Sequence, residues 1–107
     1  MGKVRYEEDG YPVFDRQDFD WFGRLVRALV PKHPEDIRDF GRRRCGLDLV
    51  LVIDVEPRSR RIFTMEVCEQ LAAKVAERTG VIAPLVYVHN DPHRRAKEAL
   101  DHAARGH

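Results

Sequence analysis

The feature that most constrains this chain is an unbroken apolar run near its middle, Leu-Val-Leu-Val-Ile at residues 49–53. A continuous run of this kind, without the alternation of a half-exposed strand, is typical of a β-strand with both faces covered. We therefore predict a central strand over residues 47–55. Covering both of its faces requires helices or further strands packed around it.

Two amphipathic helices are predicted, one on each side of this strand in the sequence. From Asp18, a good N-cap residue, apolar side chains recur every three or four positions until Pro31. A second apolar stripe runs over residues 66–79 and stops before Gly80, the residue type that most readily adopts the left-handed conformation at a helix C-terminus. Both helices should pack against the central strand; the first precedes it in the sequence and the second follows it.

The remaining segments have weaker signals. Residues 11–14 fit a short strand or an extended anchoring arm, residues 31–46 a loop, and residues 85–88 a strand preceded by Pro84. A last helix is expected to begin at Asp91 as N-cap. Residues 61–65 fit either a hairpin strand antiparallel to the central strand or the start of the next helix, and we favour the hairpin.

Together these elements predict an α+β fold, a small two-layer α/β sandwich. With a strand at 11–14 the order is ferredoxin-like, and without it the order is a related α-β-β-α-β mixed sheet. If the hairpin is absent, a right-handed βαβ unit with parallel strands is the alternative. We expect an N-terminal arm or short strand over residues 1–17 and a single domain over residues 18–107.

Composition narrows the function classes. The 107 residues are 43% apolar and 35% charged, values typical of a folded domain, and 19 basic against 18 acidic residues leave a net charge of +1. A charge so close to zero provides no overall field that would draw the chain to nucleic acid. No apolar run approaches the roughly 18 residues that a membrane span needs. We expect a cytoplasmic protein without a membrane partner.

One candidate site lies where the strand at 85–88 ends and the last helix begins. His89, Asp91 and His93 follow this strand directly. If it runs parallel to the central strand, Asp54 and Glu56 emerge at the same edge of the sheet, and imidazoles and carboxylates together suit a divalent cation. Helix capping by Asp91 explains part of this pattern without any metal.

Arginines form the second candidate site. Six of them fall within residues 41–61, which contain only three acidic residues: Arg42, Arg43 and Arg44 before the central strand, and Arg58, Arg60 and Arg61 after it. Guanidinium groups bind phosphates through paired hydrogen bonds. The two groups should lie at opposite ends of the strand, and no aromatic residue is interleaved for base stacking. An RNA or nucleotide-phosphate site is therefore an alternative hypothesis.

Residues 40–49, Phe-Gly-Arg-Arg-Arg-Cys-Gly-Leu-Asp-Leu, resemble the motif that opens minimal nucleotidyltransferases, Gly-Ser followed by Asp-x-Asp-Leu on a strand. Arg42 takes the place of the serine, and Gly46 takes the place of the first aspartate, so that Asp48 is left alone. Two metal ions bridged to a triphosphate require more than one carboxylate. We therefore expect no transferase activity from this resemblance.

Our leading hypothesis is a small non-catalytic binding or assembly module that associates with itself or with a protein partner and needs no cofactor. The apolar residues are used by the core, and an uncovered sheet edge would provide the surface for association. The hairpin strand at 62–65 is the expected edge. A metal-dependent enzyme at His89, Asp91 and His93 is the further alternative.

Overall fold

The computed structural model of the chain describes residues 4–45 and 48–89. They form a small α+β structure with a mixed three-stranded sheet and helices. In chain order the elements are α1 (Arg16–Arg27), a 3-10 turn (Pro34–Asp36), β1 (Ile37–Cys45), β2 (Asp48–Val55), α2 (Pro57–Arg60), α3 (Met65–Thr79) and β3 (Leu85–Val88). The helix predicted to begin at Asp91 lies outside the described residues.

The apolar run forms the central strand, β2, as predicted. It pairs antiparallel with β1 on one side and parallel with β3 on the other. Alternate β2 side chains are completely buried: Leu49, Leu51, Ile53 and Val55. They share one core with Phe22 of α1 and Val75 of α3, so this face of β2 packs against the helices.

The predicted hairpin at 61–65 is wrong. Pro57 begins the short helix α2, and the Thr64 side chain accepts a hydrogen bond from the Val67 N–H at 3.2 Å as N-cap of α3. Residues 61–64 therefore connect two helices. The observed order, α1-β1-β2-α3-β3, is that of the α-β-β-α-β mixed sheet, but the antiparallel partner of the central strand precedes it instead of following it. β2 and β3 are parallel and are joined through α3, since parallel strands need a crossover of this length.

The antiparallel partner of β2 is β1, from the segment that we predicted to be a loop. This segment has few apolar side chains and contains Gly41 and three arginines, all of which weaken a strand signal. Pairing with β2 supplies the backbone hydrogen bonds, and a strand at the edge of a sheet tolerates charged residues. A bulge between Ile37 and Asp39 also interrupts the regular pattern.

The N-terminal arm does not contribute a strand to this sheet. Pro12 makes an isolated antiparallel bridge with Tyr6, which closes a small hairpin within the arm. Phe14 is 5% exposed, and its ring meets the ring of Phe19 edge to face at 4.8 Å. Of the two expectations for residues 11–14, the anchoring arm is the one that the structure contains.

Helix α1 begins earlier than predicted. Its N-cap is Asp15, whose side chain accepts a hydrogen bond from the Asp18 N–H while Asp18 accepts one from the Asp15 N–H. This capping box makes Asp18 the third helical residue. Asp18 also accepts from Arg78 Nε at 2.7 Å, which ties α1 to α3.

The end of α3 is as predicted, with Gly80 at the C-cap at φ 79°. Its start at Met65, with Thr64 as N-cap, falls within the segment that we predicted to be a hairpin strand, so of its two ends the C-terminal one was predicted from a local signal. None of the helices in residues 4–45 and 48–89 has the length and the apolar character of a membrane span.

Candidate functional site

The arginines before the central strand lie on β1, in the order Arg42, Arg43, Arg44. Arg42 pairs with Leu51 and Arg43 with Val50. Since neighbouring residues of a strand point to opposite faces, Arg42 is on the core side and Arg43 on the other side. Arg43 is exposed, whereas the Arg42 side chain is only 13% exposed. These two side chains therefore do not bind one ligand from a common face.

Arg58 is engaged by a buried carboxylate. Its Nε and Nη2 each donate to Asp36 at 2.8 Å, one to each carboxylate oxygen, and Ser59 Oγ donates to the same group at 2.5 Å. Pairing with Arg58, aided by Ser59, lowers the pKa of Asp36 to about 2. This network joins the turn before β1 to α2, so the Arg58 guanidinium stabilises the fold.

Arg60 and Arg61 face two different cavities. Arg60 lines a groove beside β3, whereas Arg61 lines a cavity of about 390 Å³ with Lys32 and His33. Arg43 lies opposite Val50, whereas α2 follows the end of β2. At the rise of a strand, Arg43 and α2 are therefore roughly 20 Å apart. The five of these arginines whose side chains the structure describes are distributed over several surfaces, so these five do not form one patch.

Asp54 and His89 come together at the carboxyl ends of the two parallel strands. The His89 N–H donates to the Ile53 carbonyl at 2.7 Å, which extends the β2–β3 pairing by one residue. Both residues line a cavity of about 290 Å³ with Asp39, the strand partner of Asp54. The parallel pairing on which the metal hypothesis depends is present.

The other predicted ligands add little to this cavity. Glu56 Oε1 lies 3.4 Å from Arg38 Nε. Asp91 and His93 lie outside the described residues. Over residues 4–45 and 48–89, no three His, Cys, Asp or Glu side chains are grouped so that they could hold a metal ion. The metal site therefore stays a prediction.

A larger groove of about 550 Å³ lies between α3 and β3. Its apolar lining includes Phe63, Met65, Cys68, Ala72, Leu85 and Val86. Met65 is 80% exposed and Leu85 is 42% exposed. Burial raises the pKa of the Cys68 thiol, which keeps it protonated and uncharged near neutral pH. The charged lining residues are Arg60 and Glu69, which have opposite signs.

The backbone of β3 places hydrogen-bonding groups along one side of this groove. Among the described strands, β3 pairs only with β2. The His89 N–H points toward β2, and strand backbone groups alternate in direction, so those of Leu85 and Tyr87 also point toward β2. The N–H and C=O groups of Val86 and Val88 therefore point to the outer edge of the sheet.

Sequence reasoning predicted β3 but assigned no function to it. It placed the associating edge at residues 62–65, which are a connection between helices. The sequence did contain a signal for the observed edge, because residues 85–88 are four consecutive uncharged residues, Leu-Val-Tyr-Val, after Pro84. What the sequence lacked was the strand order, which decides whether such a strand is central or peripheral.

Comparisons with known proteins place no further constraint on these surfaces. No family model matches the chain, and neither a curated protein nor a solved structure matches it. The resemblance of residues 40–49 to nucleotidyltransferases therefore has no family match behind it. In the structure residues 40–45 belong to β1, and Asp48 is the exposed first residue of β2.

Proposed function

We propose that this chain is a small, non-catalytic, cytoplasmic assembly module that pairs with a second copy of itself through β3 and the groove between β3 and α3. The observation that supports this most directly is the combination of an uncharged edge strand with an adjacent apolar groove. Addition of a strand to a sheet edge beside a groove is a common mode of recognition, because the backbone supplies affinity and the groove supplies specificity.

The two edges of the sheet differ in how well they resist association. β1 carries Arg38, Asp39 and three further arginines, and it contains a bulge. Charged side chains and bulges are the usual means by which an edge strand avoids pairing with another chain. β3 has neither, and Leu85 and Tyr87 on it are 42% and 52% exposed. Association is therefore favoured at β3.

The charges around the groove favour a second copy over an acidic or basic partner. Arg60 and Glu69 lie on the same groove with opposite signs. In a two-fold interface the same surface meets itself, so a patch with both signs can match Arg60 of one copy to Glu69 of the other. A patch of a single sign would repel its own copy.

Symmetry restricts how the two β3 strands can pair. A two-fold axis perpendicular to the sheet pairs the two β3 strands antiparallel and leaves each side chain on the same face of the sheet. Each residue must therefore pair with a residue of the other copy whose side chain is on that same face. Centred on Val86, this places Leu85 of one copy opposite Tyr87 of the other. The proposed dimer has a continuous six-stranded sheet, with the helices covering one side of it as a two-layer sandwich.

The test is the oligomeric state, measured by size-exclusion chromatography with light scattering. We expect a dimer for the natural sequence and a monomer for Leu85→Lys, because a lysine on an edge strand opposes pairing. Ile82→Lys is the matched control, since Ile82 is 96% exposed and precedes β3. This variant should remain a dimer.

A second variant tests the backbone contribution. Val88→Pro removes an N–H that points away from β2, so it should leave the β2–β3 pairing in place and weaken the dimer. Far-UV circular dichroism checks that each variant is folded. A natural sequence that is a monomer at all concentrations would overturn the proposal, and so would equal dissociation of Leu85→Lys and Ile82→Lys.

The arginine-based alternative has less support from the geometry. Arg58 is held by Asp36, and Arg42 and Arg43 belong to opposite faces of β1. An extended RNA backbone needs several cations along one surface. A metal-dependent enzyme would need ligands in addition to Asp54 and His89.

A further inference from the structure

Arg42 is the one arginine of the basic segment that faces the core side of the sheet with a described, largely buried side chain. It pairs with Leu51, which is completely buried, and 13% of the Arg42 side chain is exposed. A guanidinium remains charged at any physiological pH. Burial of a permanent charge is costly unless its hydrogen-bond donors have acceptors.

Two of the three guanidinium nitrogens of Arg42 have no acceptor. Nε and Nη2 of Arg42 are buried and make no hydrogen bond in the structure. The contacts of the group are elsewhere: Nη1 lies 3.5 Å from Glu7 Oε1, and the guanidinium carbon lies 5.5 Å from the centre of the Tyr11 ring. The paired edge of the guanidinium formed by Nε and Nη2 is thus the part that lacks a partner.

Arg58 shows what this same edge does in the same protein. Its Nε and Nη2 hold both oxygens of Asp36 at 2.8 Å each. Two parallel N–H donors match two oxygens of one oxyanion, which is why arginine recognises carboxylates and phosphates in this way. In Arg42 the same pair of donors is oriented for such an anion but has none.

The N-terminal arm covers Arg42. The arm is a small hairpin in which the Glu7 N–H donates to the Tyr11 carbonyl at 2.8 Å and the Val13 N–H donates to the Arg5 carbonyl at 2.8 Å. An ion pair between Arg5 and Asp15 at 3.6 Å joins the arm to the start of α1, and the two side chains are 69% and 44% exposed. Exposed pairs of this kind contribute little. Pro12 and Phe14 are buried and hold the end of the arm, so a movement that uncovers Arg42 involves the outer part of the hairpin, with Glu7 and Tyr11.

We propose that Arg42 is an oxyanion-binding residue covered by the arm, and that a phosphate group occupies its Nε and Nη2 edge when the arm moves aside. A phosphate carries more negative charge than the single carboxylate of Glu7 and offers several oxygens. It therefore competes with the arm for Arg42. A free phosphate compound and the backbone of a nucleic acid share this chemistry. The inference does not depend on self-association through β3.

The experiment is a titration with pyrophosphate, followed by the Arg42 Nε–H signal in nitrogen-15 NMR spectra. We expect this signal to shift on binding. Arg42→Lys keeps the charge but loses the paired donors, so it should weaken binding by about tenfold. Arg43→Lys is the matched control on the other face of β1 and should change affinity by less than about twofold.

Tyr11→Ala tests the cover. Removing the ring that lies over Arg42 should tighten pyrophosphate binding several-fold and leave the fold intact, because Tyr11 is only partly buried. Parallel titrations with acetate and with a single-stranded oligonucleotide separate a phosphate from a carboxylate and a free phosphate from a nucleic acid backbone. Tighter binding of acetate than of pyrophosphate would overturn the assignment to phosphate.

Two further results would overturn the proposal. One is the absence of any shift in the Arg42 Nε–H signal with pyrophosphate in both the natural sequence and Tyr11→Ala. The other is equal weakening by Arg42→Lys and Arg43→Lys, since that would indicate a diffuse charge effect. Preference for the oligonucleotide over pyrophosphate would support Arg42 and identify the nucleic acid backbone as the source.

Discussion

At the scale of single residues, the carboxylate of Asp36 makes stability depend on pH. Asp36 is 1% exposed and is held by Arg58 and Ser59, and its pKa is lowered from 3.8 to about 2. Between these two values the unfolded chain binds more protons than the folded chain. The contribution of this network is therefore fully present above about pH 4 and is lost as the pH falls toward 2.

The variant Asp36→Asn tests this dependence. It should be less stable than the natural sequence at pH 7, because a neutral amide no longer pairs with Arg58, and the difference should shrink between pH 4 and pH 2. Urea unfolding at several pH values measures it. Asp20→Asn, an exposed position on α1, is the control. Equal losses for the two variants at pH 7 would contradict the assignment.

A second residue-scale prediction concerns the two faces of β2. Leu51 is completely buried in the core that the strand shares with the helices, whereas Val52 on the opposite face is only partly buried. Leu51→Ala should lower the free energy of unfolding by about 3 kcal/mol, and Val52→Ala by less than about 1 kcal/mol. Chemical denaturation checks both. Similar losses would show that the two faces are packed alike.

At the scale of elements, the C-terminus of α3 depends on the left-handed backbone of Gly80. An alanine at φ 79° is strained, so Gly80→Ala should lower the free energy of unfolding by about 1 kcal/mol. Gly41→Ala is the matched control, because a Cβ added there meets no atom within 4 Å. Its effect should be neutral or stabilising by about 0.5 kcal/mol. Thermal unfolding distinguishes the two.

The elements also differ in how well the sequence predicted them. β2 and α3 have strong local signals, a continuous apolar run and an apolar stripe that stops before Gly80, and β3 has a weaker one, a short apolar strand after Pro84. β1 has none, because it is stabilised by its pairing with β2 and not by its own side chains. Because residues 31–46 were predicted to be a loop, the antiparallel partner of the central strand was predicted after it, at residues 61–65, instead of before it.

At the scale of the whole molecule, self-association through β3 couples stability to concentration. A ligand that binds only the folded state raises the apparent stability, and a second copy is such a ligand. The melting temperature of the natural sequence should therefore rise with protein concentration. That of Leu85→Lys should not. Differential scanning calorimetry over a range of concentrations measures this, and parallel behaviour of the two proteins would contradict the proposed interface.

The candidate sites follow the same division between local and tertiary information. From the sequence, we predicted that Asp54 and His89 lie at one edge of the sheet if their strands are parallel. The strands are parallel, and both residues line one cavity. The sequence identified Arg42 as one of six similar cations. Its burial beneath the arm depends on contacts with Glu7 and Tyr11, more than 30 positions away along the chain.

The sequence by itself determined the central strand, because a short run of branched apolar side chains at 49–53, bounded by polar segments, is typical of a strand in a covered sheet. It also determined where α3 ends, because Gly80 acts through its own backbone. Only the tertiary structure decided that β1 lies on one side of β2 and β3 on the other. Strand order arises from contacts between distant segments, and local side-chain preferences carry no record of it. For that reason the apolar run was predictable, and the edge of the sheet that we propose for assembly was not.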